Sequence, residues 1–320
     1  VEGNAGSDVT HVAVIFDKGS HTFRNDMYDL YKANREAMPE DLRPQMPLTR
    51  QATKAFNIAC EEIEGYEADD IIATLAHQAR AAGGRCTIIS SDKDMMQLVG
   101  DGVEMFDAMK DKRIDRDGVF EKFGVYPEGV VDVQALAGDT ADNVPGAPGI
   151  GIKTAALLIN EYGTLEDLLD RAGEIKQPKR RQTLIDHRAQ IELSKRLVTL
   201  DAATPLDFTL DDLEVREPIA EELLDFLAQM EFRTLTKRIS EALDAPMPVI
   251  DDTPSAANAP SAPNAIPFDV EKYVCVRDMN ALQPWIDNAY ARGYVAVDTE
   301  TTGLNDMIAD LVGISMCTEA

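Results

Sequence analysis

Apolar residues gather along the chain at two different periods. HVAVIFD (residues 11–17) and CTIISSDKD (residues 86–94) are short apolar runs that end in carboxylates. Such runs predict buried parallel strands that deliver acids at their C-terminal ends. Between them, TRQATKAFNIACEEI (residues 49–63) and DDIIATLAHQARAAG (residues 69–83) have helical spacing of their apolar positions. That spacing predicts two helices, the second with acids in its first turn and Gly83 closing it. VEMFDA (residues 103–108) predicts a third strand. Strand and helix in this alternation predict an α/β sheet with right-handed crossovers.

From residue 139 to 243 the pattern is wholly helical, through IKTAALLINEYG, TLEDLLDRAG, KRRQTLIDHRAQIELSKRLVTL and IAEELLDFLAQMEF. Residues 244–267 are dominated by Pro and Ala with little apolar periodicity, which predicts a semi-rigid, solvated linker. From residue 268 the strand-helix-strand pattern resumes. The reading therefore divides the chain into an α/β core (1–138), a helical subdomain (139–243), a linker (244–267) and the opening of a second α/β domain (268–320). A start without Met and a stop just after LVGISMC suggest a fragment cut at both ends.

Charge changes this picture. Asp and Glu number 57 against 31 Lys and Arg, a net −26, which excludes a uniformly basic nucleic-acid binder. Any such contact must come from local patches. Four cysteines without a C-x-x-C pair and four histidines without zinc-ligand spacing point to a reduced, cytoplasmic protein with no structural zinc. No apolar run approaches the ~18 residues of a membrane span, so no membrane partner is expected.

The acids themselves form the first constellation. Asp17 follows the first strand, Glu67, Asp69 and Asp70 open a helix, Asp92 and Asp94 follow the next strand, and Asp139 and Asp142 sit in GDTADN. In an open α/β sheet, strand ends and helix starts converge on one crevice. Two unit charges ~4 Å apart repel by about 4 kcal/mol at an effective dielectric near 20, so such a cluster calls for cations. Oxygen donors without His or Cys select Mg2+ or Mn2+. A pair of these ions suits phosphodiester hydrolysis. Each acid taken alone is more simply a solvated surface group, and acids in a first helical turn also favour the helix dipole; it is the set that argues for a site.

GAPGIGIKTA (residues 146–155) is not a P-loop, because Lys does not directly follow the second glycine. It reads as a tight turn between two helices, where Gly149 and Gly151 let backbone N–H groups approach a phosphate and Lys153 adds charge; a plain interhelical turn is the bland alternative. Residues 176–196 carry seven Lys and Arg, among them Lys179, Arg180 and Arg181, against Asp186 and Glu192. Residues 22–35 add Arg24, Lys32 and Arg35, interleaved with Tyr28 and Tyr31. Either patch is a candidate DNA contact or a solvated helix face. In VDTETTGL, Asp298 and Glu300 leave one side of a strand as a short carboxylate pair suited to metal ions.

FDKGSHTFR, YKANR, GYEADD, SSDKDMMQLV, AGDTADNVPGAPGIGIKTA and VDTETTGL, in this order, resemble a 5′ nuclease of the flap endonuclease superfamily followed by a 3′-to-5′ proofreading exonuclease. The resemblance implies a PIN-like parallel-sheet core, a helix-hairpin-helix subdomain, a linker and a truncated ribonuclease H-like α/β domain. It implies that Asp17, Glu67, Asp69, Asp70, Asp92, Asp94, Asp139 and Asp142 hold two Mg2+ or Mn2+ ions, with Lys32 and Arg35 at the scissile phosphate. It assigns Gly149, Gly151 and Lys153 to duplex phosphates, with a K+ ion at the hairpin, and Asp298 and Glu300 to the proofreading metals. The implied partner is DNA, at 5′ flaps, nicks and primer-template junctions, bound by a monomer. The family also opens on a central strand ending in V-D-G, with a further Asp ligand; nothing before Val1 matches it, so two unpaired strand edges are expected.

Two rival readings follow from the residues. VAVIFDKGS resembles the strand of a haloacid-dehalogenase-like phosphatase, but the second acid that chemistry needs is replaced by Gly19. The other rival is a non-catalytic module that binds DNA structure.

Overall fold

The computed structural model describes residues 9–248, 273–303 and 308–318. The chain divides into two units, Val1–Ile250 and Asp251–Ala320.

In the first unit, strand β1 (Ala13–Ile15) pairs in parallel with β2 (Ala59–Glu61), Ala13 lying opposite Ala59. Strand β3 (Cys86–Ile89) pairs in parallel with β4 (Val103–Asp107), and β4 continues antiparallel to β5 (Lys112–Ile114). The single sheet expected from the alternation is thus two, because no described strand bonds to both β1 and β3. Side chains join them instead. Short helix α1 (Phe23–Met27) and α2 (Met46–Ala55) precede β2, and α3 (Ala68–Ala81) follows it. On α3, Ile71 and Leu75 pack with Ala13, Ile15 and Ala59, while Ala73 and Ala76 enter the core with Ile88, Val103 and Met105. Residues four apart on a helix share a face, so one helix serves both half-sheets with two faces.

The predicted helix over 49–63 ends early, at Ala55. Asn57 takes a left-handed φ of 56°, its N–H bonds to the Lys54 carbonyl, and the chain leaves to form β2. Asn is among the few side chains that accept this conformation, which commonly ends helices. Strand β5 was not predicted; it folds back on β4 through a turn with Asp111 at φ 50°.

Helices α4 (Arg116–Phe123), α5 (Pro127–Ala137), α6 (Ile152–Tyr162), α7 (Leu165–Asp170), α8 (Pro178–Asp186) and α9 (Arg188–Val198) follow. Val130, Val133 and Leu136 of α5 pack with Leu158 and Ile159 of α6 and Ile191 and Leu197 of α9, in one core that also holds Ile88 and Met105. No break in this core coincides with the 138/139 boundary read from the sequence. At that boundary Gly138 (φ 72°) and Gly146 (φ 59°) touch, and a Cβ on Gly146 would fall 2.3 Å from the Gly138 nitrogen. Only glycine fits there. The contact closes a loop in which Asp139 and Val144 exchange backbone hydrogen bonds of 2.9 and 2.7 Å. Helices α10 (Ala220–Gln229) and α11 (Arg233–Ala242) complete the unit.

Beneath the strand ends, the Arg24 guanidinium donates to both Asp70 oxygens at 2.7 Å, and also to the Leu197 and Thr199 carbonyls at 2.8 and 3.0 Å. Arg24 is 1% and Asp70 0% exposed. The pair binds α1 and α3 to the end of α9.

The second unit has helix α12 (Met279–Arg292), capped where Asp278 accepts from Ala281 N–H, and the antiparallel strands β6 (Ala296–Thr301) and β7 (Leu311–Cys317). Residues 249–267 of the expected linker lie outside the described residues. Among the described residues no helix is long and apolar enough to cross a membrane.

Losing one partner of a buried pair strands the other charge at a cost of about 3–5 kcal/mol. Asp70→Ala should therefore lower the urea midpoint by that equivalent at unchanged slope; a wild-type midpoint would show the pair to be dispensable.

Candidate active site

The acids singled out in the sequence arrive from separate elements. Asp17 follows β1, and its Oδ1 accepts from the Ala68 N–H at the start of α3 (2.8 Å). Glu67 and Asp69 open α3. Asp92 follows β3 and accepts from the Asp94 N–H (2.9 Å), capping the 3-10 turn Lys93–Leu98. Asp139 and Asp142 lie in the loop closed by Gly138 and Gly146, Asp139 accepting from the Ala141 N–H (2.8 Å).

Cationic side chains are set among them. Lys32, at a left-handed φ of 56°, places Nζ 2.6 Å from Glu67 and 3.7 Å from Asp142. Arg35 lies 2.6 Å from Asp142, and Lys93 lies 2.6 Å from Asp139. The buried Tyr31 hydroxyl lies 3.2 Å from both Glu67 and Asp142, and burial and those two charges raise its pKa. Burial alone would lower the Lys93 pKa, but its bond to Asp139 and the charges of Asp139, Asp94 and Asp92 outweigh this and raise it.

Negative charge nonetheless remains in excess. Burial, then Asp92, Glu67 and Asp17, push Asp69 up to about 7 against the pull of Lys32. Burial, then Asp92 and Asp139, push Asp94 up to about 6, opposed by a hydrogen bond from Gln134 and by Lys93. The donor set is all oxygen, as hard divalent ions require. Among the described residues no group of three His, Cys, Asp or Glu side chains is placed to hold an ion. Donor type and charge fit such a cation; the carboxylates are spread onto Lys32, Arg35 and Lys93 instead of gathered on one point.

Two sequence assignments are corrected. Asp70 is not turned to this cluster: its oxygens are taken by Arg24, by the Asp201 N–H (2.8 Å) and by the Glu67 N–H (3.2 Å). Arg24, fully buried against it, is not available to DNA. The basic stretch is also less free than its composition implies. Arg188 pairs with Asp170 and Glu192, and Lys195 with Asp132 and Glu166. Lys153, Lys176, Lys179 and Arg180 have no ion partner among the described residues, and Arg181 donates to the Ile175 carbonyl (3.3 Å). Gly149 takes a φ of 78° in the turn before α6, and Gly151 is the residue preceding that helix. In the second unit, Asp298 and Glu300 alternate along β6, opposite Ser315 and Gly313.

Lys93 and Gln134 were not singled out from the sequence. Lys93 stands inside the acidic motif itself, and Gln134 is a polar residue in an apolar helical stripe, so each carried a visible signal.

Residues 4–124 match the family described as 5′-3′ exonuclease, N-terminal resolvase-like domain, and residues 125–221 match 5′-3′ exonuclease, C-terminal SAM fold. The chain belongs to the 5′-3′ exonuclease family. It is 46% identical, over 98% of its length, to the DNA polymerase I of Rhizobium leguminosarum, and 38% identical, over 73%, to that of Bacillus caldotenax. It spans 36% and 27% of those two proteins. Among solved structures, the T5 D15 protein co-crystallised with metal ions superposes with a TM-score of 0.52 at 24% identity, covering 70% of this chain and 83% of that one. T5 5′-exonuclease with bound zinc gives the same score and identity over 70% and 81%. These likenesses establish a shared α/β nuclease fold.

Because Asp69 and Asp94 hold protons more tightly folded than unfolded, their contribution to the stability of the metal-free chain should fall as pH rises from about 4 to 7. Thermal melts in EDTA should therefore show Asp69→Asn gaining on the wild type between pH 5 and pH 8. A constant difference across that range would contradict the assignment.

Proposed function

We propose that the first unit is a metal-dependent, structure-specific 5′ nuclease that hydrolyses DNA phosphodiesters at 5′ flaps and nicks, as the nuclease part of a bacterial DNA polymerase I engaged in primer removal and repair. The observation that carries this reading is the excess of carboxylate charge, felt at Asp69 and Asp94, in a chain of the 5′-3′ exonuclease family. Asp17, Glu67, Asp69, Asp92, Asp94, Asp139 and Asp142 would hold two Mg2+ or Mn2+ ions. When bound, such ions polarise a phosphoryl oxygen and acidify water.

The chain's own residues do the rest. Lys32 and Arg35, now held on Glu67 and Asp142, supply positive charge to the phosphate where negative charge develops. The Arg24–Asp70 pair keeps the start of α3, and so Glu67 and Asp69, in place. Gly149, Gly151 and Lys153 would grip duplex phosphates, with K+ at the same turn, and Lys179, Arg180 and Arg181 would extend that contact at flaps, nicks and primer-template junctions. Asp298 and Glu300 would belong to a ribonuclease H-like proofreading exonuclease; the paired β6 and β7 support this. The protein would act as a monomer in the cytoplasm.

A second reading, a module that binds DNA structure without cutting, is favoured by the spread of the described acids. A labelled 5′-flap duplex with the chain in Mg2+ or in EDTA separates the two. Metal-dependent cutting at the junction is expected, and binding without cutting would establish the second reading.

Asp92→Asn should abolish cutting and spare binding; a variant that still cuts removes Asp92 from the reaction. Lys153→Ala should weaken all duplexes alike and reduce the slope of log affinity against log salt by about 1. An unchanged slope in a salt titration would exclude the phosphate contact.

A further inference from the structure

Helix α5 buries Val130, Val133, Ala135 and Leu136 completely, yet its Gln134, 2% exposed, places a carboxamide in the same core. Its Nε2 donates to Asp94 Oδ1 at 2.5 Å, and its Oε1 has no partner among the described residues. Leaving a buried polar atom unpaired costs about 1–3 kcal/mol. A leucine would fill such a site without that cost, so packing alone does not account for the amide.

The other acids indicate what it is for. Asp17, Asp92 and Asp139 each accept a backbone N–H, from Ala68, Asp94 and Ala141. Glu67 and Asp142 are held by Tyr31, Lys32 and Arg35, whereas the Asp94 carboxylate accepts from the neutral carboxamide of Gln134. The buried Met95 and Met96 fix the backbone beside Asp94, which leaves its side-chain torsions as the freedom to be restrained. Helix α5 is also the element that runs into Asp139, so one helix sets both acids.

We infer that Gln134 is a positioning residue, holding Asp94 Oδ1 so that Oδ2 is presented to a divalent cation. This rests on the cation site proposed above. Partners that orient a ligating carboxylate typically contribute 10–100-fold to metal affinity, with wide variation.

Mn2+ binding to the full chain, followed by the electron paramagnetic resonance of the free ion, tests this with Asp94→Asn and Gln134→Met. Gln134→Met should bind Mn2+ about 10–100-fold more weakly. It should still melt cooperatively in EDTA, and flap cutting should return at saturating Mn2+. Wild-type affinity in Gln134→Met with weakened binding in Asp94→Asn overturns the role of Gln134 alone. Wild-type affinity in both overturns the role of Gln134 together with the cation reading of Asp94. Should Gln134→Met not melt cooperatively, Gln134→Asn, with an amide one methylene short of Asp94, takes its place; unfolding of both makes Gln134 structural and overturns the proposal.

Discussion

The bidentate contact between Arg24 and Asp70 is the constraint on which the rest of the first unit turns. A guanidinium and a carboxylate leave water together only if nearly every donor and acceptor is met. Here Asp70 takes two N–H groups beyond the guanidinium, and Arg24 takes two carbonyls at the end of α9. The contact therefore fixes a helix start, a short helix and a helix end at once, and the start it fixes is the one bearing Glu67 and Asp69.

Charge elsewhere divides between structure and site on the same principle. Asp132 and Glu166 hold Lys195, and Asp170 and Glu192 hold Arg188, in pairs that spend basic charge on helix packing. The strand-end acids meet too few cations for their number, and burial keeps water from making up the difference. Repulsion among them is the stored capacity to take up a cation.

Much of this was legible in the chain, and the reasons for the rest are specific. Strands β1, β3 and β4 announced themselves as apolar runs, whereas β2 is three residues at the tail of a helical pattern and β5 is the polar KRI, recruited by its neighbour. Acids after strands marked a site, but the split between Asp69 and Asp70 was not readable. Adjacent helix positions point about 100° apart, and only Arg24, distant in sequence, decides which one turns inward. The basic stretch misled in the same way, since counting charges does not reveal which are already paired. Gln134 was visible as a polar intruder, with its partner forty residues earlier.

The touching glycines, Gly138 and Gly146, act as an eyelet through which the chain leaves α5 and returns toward the turn at Gly149. The path between them is the loop that carries Asp139 and Asp142, and it is pinned by the Asp139–Val144 backbone pair, by the Lys32 N–H on the Asp142 carbonyl and by the Asn34 amide on the Thr140 carbonyl. Because the knot is backbone against backbone, the helices on either side cannot take up slack from the loop or give it any. A residue inserted or removed there would break the Asp139–Val144 pair and displace Val144 from the core, so the placement of those two charges is built into the scaffold itself.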